Sequence, residues 1–565
     1  MQNLLKDLKN LLEKDERFTV DGELLKNKVV ESALKLDEDL IKLLLSHDKL
    51  KEHFFMQVGE VTIFDKDKFV KFVSNKQFLP DSYTSFKNKI GLTEDDEYIS
   101  EKKDVVLSWP YKDCVLEGGQ TKEDAKRDEV FWNQTLAPDE IDRLLDPKVF
   151  TNAKRVDKDG EHDFDTFNRR EDGTISDNLI VKGNNLLALH SLKKEFAGKV
   201  KLIYIDPPYN TGNDSFKYND KFNHSTWLTF MKNRLEVAKE LLAKDGSIYV
   251  QLDYNEVHYF KVLMDEVFGV GNFQREIIWY LSGAAGYKSL VDNYVRAHDT
   301  LLYYSKSGEV FFNKEYLPYS DEQLSRFSKT DKQGRKYKTI TKERRLYLDE
   351  AKGIPITDVW TDIASFQTIV NSPEITGFHT QKPEPLLKRI IQASSSEGDI
   401  VLDFFAGSGT TGAVAQKMNR QFVMVEQIPK QMNILRKRVI KVIKGAQSGV
   451  TNKVGWQGGG DYVYLELAKW NQKFMEKVQE AKSKKDLEKV WQEIQKHAFL
   501  SWRLDISKFE KNSKEFGDLS LENQKEFLLE VLDQNQLYIN YSEIEDEMYG
   551  VSEEDKKLNK EFYEK

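Results

Sequence analysis

The chain has a single cysteine, Cys114, among its 565 residues. Disulfides within it are excluded, as are zinc sites built from thiolates, and no metal site is expected. Such usage suits a reducing cytoplasm. Long apolar runs are missing too. Stretches such as Leu40 to Leu45 fall far short of the about 20 residues that cross a bilayer, so no membrane association is expected. No charged-then-apolar leader opens the sequence, where Met1 to Phe18 reads as an amphipathic helix. There is no Gly-Lys-Ser/Thr, which sets aside a P-loop, and no helicase or nuclease motif. A strong charge surplus is also absent. The formal net charge of -9 argues only weakly against a nucleic-acid partner, because local patches decide that question.

The length calls for two to four domains. Leucines at helical spacing (Leu4, Leu5, Leu8, Leu11, Leu12, then Leu40, Leu43, Leu44) predict a small helical module up to about residue 55. Strand-like and turn-like pieces follow, including Val105-Val106-Leu107 and Trp109-Pro110-Tyr111. Lys154 to Asp177 is polar and turn-rich and reads as surface loop. From Asn178 strands and helices alternate, which predicts a mostly parallel α/β sheet. The strands are Leu179–Val181, Lys201–Ile205, Ser247–Leu252, Ile400–Leu402 and Phe422–Val425. The helices are Asn185–Phe196, Trp227–Leu242, Pro385–Ala393 and Thr410–Lys417. The alternation lapses between about 311 and 360. Beyond about 466 the chain reads as helical and charged.

Two strand ends carry chemistry. The first strand runs into Asp206-Pro207-Pro208-Tyr209. A base's exocyclic amine is a poor nucleophile, because its lone pair is delocalised into the ring. Acceptors against both of its hydrogens favour a pyramidal nitrogen, and the Asp206 carboxylate and Pro207 carbonyl can be those acceptors. Pro207 and Pro208 fix φ and donate nothing to a ladder, which holds the carbonyl outward. Tyr209 offers a face for a base swung out of a duplex. An ordinary X-Pro turn is the bland alternative, made less apt by the buried strand immediately before it.

The second strand end is Asp403-Phe404-Phe405-Ala406-Gly407-Ser408-Gly409-Thr410-Thr411. Gly407 and Gly409 let backbone approach a ligand, and the helix start at Thr410 offers N–H groups. Asp403 is suited to an ammonium, Phe405 to lining an adenosine, and Glu426 at the next strand end to ribose hydroxyls. The same glycines fit a dinucleotide fingerprint, so an oxidoreductase stays open on this motif alone, although Asp-Phe-Phe-Ala departs from an apolar lead-in. Between the corners lies His379-Thr380-Gln381-Lys382-Pro383. Thr380 or Gln381 is placed to cap the following helix, and Lys382 to meet a cofactor carboxylate; an N-cap with a surface lysine is the alternative.

The order of these three motifs resembles the β-group of amino-methylating DNA methyltransferases. Tyr111–Asp124, Asp139–Leu145, Lys182–His190 and Asp206–Arg234 look like the modification (Mod) subunit of type III restriction–modification systems, with the likeness covering roughly residues 55 to 460. The resemblance implies a circularly permuted Rossmann-like methyltransferase sheet, with an inserted target-recognition region and helical N- and C-terminal modules. Its segments are an accessory module over 1–120, the catalytic half over 121–310, the insert over 311–375, the cofactor half over 376–465 and a helical domain over 466–565. It implies S-adenosylmethionine-dependent methylation of adenine N6 in double-stranded DNA, a homodimer, a separate helicase–endonuclease (Res) subunit and a cytoplasmic, DNA-associated location. Asp206, Pro207, Pro208 and Tyr209 take the catalytic role; Thr380, Lys382, Asp403, Phe405, Gly407, Gly409, Thr410 and Glu426 take the cofactor role. Asp rather than Ser at position 206 goes with adenine. Cytosine N4 as target, or a specificity subunit without catalysis, are the alternatives.

Residues 326–345 hold nine basic side chains against Asp331 and Glu343. Arg326, Lys329, Arg335, Lys336, Lys338, Arg344 and Arg345 are the expected DNA contacts, phosphates giving affinity and base edges specificity. A solvated basic loop is the alternative. In the C-terminal part, Leu467, Trp470, Phe474, Val478, Leu487, Val490, Trp491 and Ile494 recur at helical spacing, as a partner-facing helix or the core of a helical domain.

Overall fold

Apolar residues on both faces of a strand require cover on both sides, and this chain supplies it. The computed structural model describes residues 2–13, 15, 17–20, 23–58, 61–74, 93–94, 97–98, 107–118, 131–133, 138–211, 223–281, 292–341, 344–369, 371–497, 519–533 and 538–564. Val105 and Val106, the 119–124 and 212–222 parts of the Mod-like blocks, and positions 342 and 343 of the basic segment lie outside them. Two compact units form, Met1–Val105 and Val106–Lys565. In the first, Leu8, Leu12, Leu40, Leu44, Phe54 and Phe69 are buried together, as the leucine spacing predicts.

The second unit is built on an eleven-stranded sheet. Its strands in chain order are β1 (Phe150–Val156), β2 (Glu161–Asp163), β3 (Leu179–Lys182), β4 (Val200–Ile205), β5 (Leu242–Leu252) and β6 (Phe273–Tyr280). β7 (His298–Ser305), β8 (Val359–Trp360), β9 (Ile400–Asp403), β10 (Gln421–Glu426) and β11 (Tyr462–Leu467) complete it. Across the sheet they run β2-β1-β11-β3-β10-β9-β4-β5-β7-β6-β8. From β11 to β5 every neighbour is parallel. β7 is antiparallel to both β5 and β6.

Side chains alternate strictly between the two faces. Ile203, Ile205, Val250, Leu402 and Val425 join one core. It is covered by α1 (Asn185–Phe196), α2 (His224–Leu241) and α3 (Val257–Phe268). Leu202, Tyr204, Tyr249, Val401 and Met424 join the other, under α4 (Glu384–Ser394), α5 (Thr410–Lys417) and α6 (Pro429–Ile443). α1 begins where Asn184 accepts from Leu186 N at 3.0 Å, and α2 where Asn223 accepts from Thr226 N at 2.8 Å; each satisfies one helix-end N–H.

One expectation needs correction, and one choice left open by the sequence is narrowed. The Lys154–Asp177 stretch is not simply loop: β1 and β2 form a hairpin there, and β1 pairs antiparallel with β11 at the sheet edge. β2 at the edge is exposed throughout and the middle of β1 is only partly buried, so neither shows the apolar alternation that marks a half-buried strand. The C-terminal stripe is resolved by burial: Phe474, Val478, Leu487 and Ile494 belong to the main core, so these are packing residues and not a free face. The last helix, α7 (Glu553–Tyr563), also returns to the sheet. Asn559 accepts from Phe150 N at 2.7 Å and donates to Phe150 O at 2.6 Å.

The 311–360 interval is an insert of small sheets. One has three strands, Lys329–Thr330, Lys336–Thr339 and Arg345–Tyr347, held by rings and cations together, with Arg345 over Tyr337 and Lys338 over Phe327.

Candidate active site

Ligands of open parallel sheets bind beyond the carboxyl ends of the strands, where no side chain of the ladder closes the space. β4 pairs with β9, Ile203 beside Leu402, and β9 pairs with β10, Asp403 beside Met424. Asp206, Asp403 and Glu426, which end or directly follow those strands, therefore emerge at one edge although the first two are nearly two hundred positions apart. They line a single pocket of about 830 Å³, counting its open mouth, together with Pro207, Pro208, Tyr209, Phe378, Thr380, Lys382, Phe405, Gly407 and Thr410. All the expected catalytic and cofactor residues but Gly409 line it; Gly409 is the N-cap of α5 just behind.

At the first corner Tyr209 Oη donates to Asp206 Oδ1 at 2.6 Å. The Lys382 ammonium donates to Asp206 Oδ2 and lies 5.3 Å from the centre of the Tyr209 ring. Trp227 Nε1 donates to the Pro208 carbonyl at 2.9 Å. Among the described residues nothing donates to the Pro207 carbonyl. Burial pushes the Asp206 carboxyl up, against the pull of Lys382 and Tyr209. Beneath, Tyr204 Oη donates to Gln251 at 2.7 Å, and Gln251 donates to Asp299 at 2.8 Å. Asn210 takes the left-handed backbone region at φ 56° and donates to Glu256 at 2.6 Å, anchoring the motif's exit.

At the second corner both glycines are needed. Gly407 has φ 49° and Gly409 has φ 74°, a region that side-chain-bearing residues avoid. A Cβ on Gly409 would also stand 2.9 Å from Leu435 Cγ, and one on Gly407 3.2 Å from Phe378 Cζ. Asp403 accepts from Phe405 N at 3.0 Å and from Thr411 Oγ1 at 2.5 Å. Glu426 accepts from Gly407 N and Ile428 N, each at 2.8 Å. Burial pushes both carboxyls up to about 7. The ribose-binding expectation for Glu426 thus gains a second task, fixing the glycine turn, while each carboxylate oxygen keeps further acceptor capacity.

The middle motif departs from expectation. Neither Thr380 nor Gln381 caps α4. Gln381 accepts from Thr376 N at 2.8 Å and donates to Glu374 O at 2.8 Å, and Glu374 accepts from Glu384 N at 3.1 Å instead. The cap comes from an upstream carboxylate, which no local spacing rule reveals. Behind the turn, Lys417 pairs with Glu384 at 2.7 Å and Arg438 with Glu384 at 3.2 Å, all three side chains buried. Arg438 also donates to Thr410 Oγ1 at 2.7 Å, and Thr410 donates to the Lys382 carbonyl at 3.1 Å. This brace was missed from sequence; charges at positions where α5 and α6 should be apolar were its only signal.

The expected DNA contacts divide. Arg326 pairs with Glu322 at 2.9 Å. Arg335 pairs with Asp349 at 2.7 Å and Glu350 at 2.6 Å, and lies over Tyr347. Lys329 donates to Thr339 at 3.1 Å, while Lys336, Arg344 and Arg345 are exposed. Arg335 is therefore engaged in holding the hairpin, because acidic residues just beyond the counted segment fold back onto it.

Comparison with known proteins follows the same geography. A DNA methylase family model matches residues 200–437, spanning both corners and the insert. A family model of the type III restriction/modification enzyme methylation subunit matches residues 37–92. The chain is 34% identical to the probable type III restriction-modification enzyme HindVI Mod subunit of Haemophilus influenzae, over 96% of this chain and 95% of that one. The chain belongs to the type III Mod family. It is thus a DNA methyltransferase of a type III restriction–modification system, using S-adenosylmethionine. Similarity within the Mod family extends to the StyLTI Mod subunit of Salmonella typhimurium, 29% identical over 44% of this chain and 51% of that one. It extends also to the EcoPI Mod subunit of Escherichia phage P1, 26% identical over 52% and 66%.

The pocket fits the expected methyl donor on its own features. A glycine turn that any Cβ would obstruct gives backbone access, two buried carboxylates suit an ammonium and a diol, and Phe405 and Phe378 supply apolar walls. Among the described residues no helix is long and apolar enough to cross a membrane.

Proposed function

We propose that this chain methylates adenine at N6, at a specific site in duplex DNA, as the modification subunit beside a separate helicase–endonuclease subunit. The observation that carries the reading is the pairing at one pocket rim of the Asp206 carboxylate with a Pro207 carbonyl that no described residue engages. A primary aryl amine has two hydrogens, and these are two acceptors fixed by a proline pair and by Trp227. S-adenosylmethionine, when bound, supplies an electrophilic methyl on a sulfonium.

The chain's residues then act in order. Tyr209 stacks on the extruded base, which must leave the duplex for its amine to be reached. Asp206 and the Pro207 carbonyl accept the two amine hydrogens and direct the nitrogen lone pair into the pocket. Asp403 faces the cofactor's ammonium, Glu426 its ribose, and the 407–409 turn holds its nucleoside side close to backbone. Asp206 is placed to hold the proton that the methylated nitrogen sheds. Positioning and preorganised charge supply the acceleration, since no covalent intermediate with the chain is needed.

Asp at position 206 supports adenine as the base. The exposed cations of the insert support DNA contact there. Catalytic strand β4 precedes cofactor strand β9 in the chain yet lies beside it in the sheet, which supports a circularly permuted arrangement. Action as a homodimer belongs to the same proposal.

The test is transfer of labelled methyl from S-adenosylmethionine to mixed-sequence duplex DNA, followed by nucleoside analysis. Wild type is expected to yield N6-methyladenine and Asp206→Ala nothing. Equal activity of the two overturns the site assignment, and N4-methylcytosine overturns the choice of base.

A further inference from the structure

The space where the target amine must sit is already filled by a nitrogen. Lys382 Nζ donates to Asp206 Oδ2 and stands over the Tyr209 ring, 5.3 Å from its centre. The other Asp206 oxygen is taken by Tyr209 Oη at 2.6 Å. An incoming amine therefore finds the Pro207 carbonyl unengaged by any described residue but Asp206 engaged.

We propose that Lys382 is a place-holder for the target amine: its ammonium satisfies Asp206 while the pocket has no base, and base entry displaces it. The inference rests on the amine-methylating reading and deepens it.

Three observations carry it. The first is donor equivalence: an ammonium and an aryl amine both present N–H groups to a carboxylate, so one replaces the other without leaving Asp206 bare. The second is the retreat. Lys382 Nζ also donates to the Thr380 carbonyl at 3.2 Å, and a flexible four-carbon stem lets it keep that bond on leaving Asp206. Its backbone stays fixed meanwhile, because the Lys382 carbonyl accepts from Thr410, itself held by Arg438.

The third is the electrostatics of the pocket. Asp206 is faced by Tyr204 on β4, Tyr209 on its own loop, Asp299 on β7, Asp403 on β9 and Lys382 from the approach to α4. Burial, the largest influence, and Asp299 favour its protonation; Lys382 and Tyr209 oppose it. Arg296 pairs with Asp299 behind this set, whereas Lys382 is the cation bonded to Asp206 itself, so it favours the ionised acceptor until a base arrives. Lys382 thus acts through Asp206 as a positioning residue.

The experiment uses full-length wild type, Lys382→Met and Lys382→Arg. Duplex DNA carries 2-aminopurine next to the target adenine, once nucleoside mapping has located the site, so that its unstacking reports extrusion of a target that keeps its N6 amine, and S-adenosylhomocysteine is present. At saturating DNA, Lys382→Met is expected to raise the ratio of extruded to stacked base by about tenfold, the loss of one competing charge-assisted hydrogen bond. In the pH profile of kcat/KM for methyl transfer, which reports the base-free enzyme, its acid limb is expected to move up by about 1 to 3 pH units, because activity needs ionised Asp206 and falls as pH drops through its pKa. Lys382→Arg keeps the charge and is expected to hold the wild-type limb. Wild-type values for Lys382→Met in either measurement overturn the proposal, as does an effect confined to S-adenosylhomocysteine affinity. A wild type that transfers no methyl to DNA instead overturns the function beneath it.

Discussion

Trp227 Nε1 donates to the carbonyl of Pro208 at 2.9 Å, tying a fully buried residue of α2 to the turn that carries the acceptor pair. The bond fixes from outside the peptide plane between Pro208 and Tyr209, which leads into the stacking ring. Trp227→Phe keeps the apolar ring but drops the donor and leaves that carbonyl unmet. A loss of about 1 to 3 kcal/mol in stability is expected from an orphaned buried acceptor. At temperatures where the variant stays folded, kcat for methyl transfer is expected to fall by about tenfold or more, since small misplacement of reacting groups is costly. Denaturant titration and single-turnover kinetics read the two effects; an unchanged kcat would show that the Pro208 plane does not matter.

Lys417 and Glu384 form a buried pair at 2.7 Å, with side-chain exposures of 0% and 1%. Lys417→Met strands the Glu384 charge, partly answered by Arg438 at 3.2 Å. A loss of about 3 to 5 kcal/mol is expected. Adding Glu384→Gln removes the stranded charge, and urea denaturation should show the double variant to be more stable than Lys417→Met alone.

Burial holds the Asp403 carboxyl at about 7, above its ordinary 3.8. A raised carboxyl pKa means that the folded chain binds the extra proton, so the stability this group contributes is full below the unfolded value and is lost as pH rises through 7. An ammonium ligand reverses that preference by needing the carboxylate. S-adenosylhomocysteine affinity is therefore expected to rise by about tenfold between pH 6 and 8, with proton release on binding. Calorimetry in buffers of different ionisation enthalpy measures both. Asp403→Asn is expected to bind weakly at every pH, with the slope cut to what the ribose-facing Glu426, also at about 7, leaves.

Arg335 is held by Asp349 and Glu350, whereas Lys336 and Arg344 are exposed. Each phosphate contact contributes about 0.9 to the slope of log affinity against log salt. Lys336→Ala with Arg344→Ala is expected to weaken DNA binding and flatten that slope by up to about 2. Arg335→Ala is expected to leave the slope as it is and to loosen the three-stranded insert, seen as faster amide exchange. A flattened slope for Arg335→Ala would return it to the phosphate contacts.

Much of the site was legible because its signals are local. A strand that runs apolar into a carboxylate, a proline pair that fixes φ, and glycines where positive φ is required all act within a few residues, so Asp206–Tyr209, Asp403 and Gly407–Gly409 could be read directly. Strand and helix identity followed from side-chain period for the same reason. β1 was misread because its middle, Thr151 to Arg155, carries no apolar alternation, and the cap of α4 because its carboxylate, Glu374, lies outside the helix's own flank. Tertiary structure alone decided which charges meet. Lys382 and Asp206 are 176 residues apart in sequence, and they touch because β4 and β9 pair and α4 leads back over them. The Glu384–Lys417–Arg438 brace exists because packing took those side chains out of water, where an ion pair that would be weak on a surface becomes costly to break. Sequence sets what each segment can form; desolvation and contact, which depend on every other segment, set which groups act together.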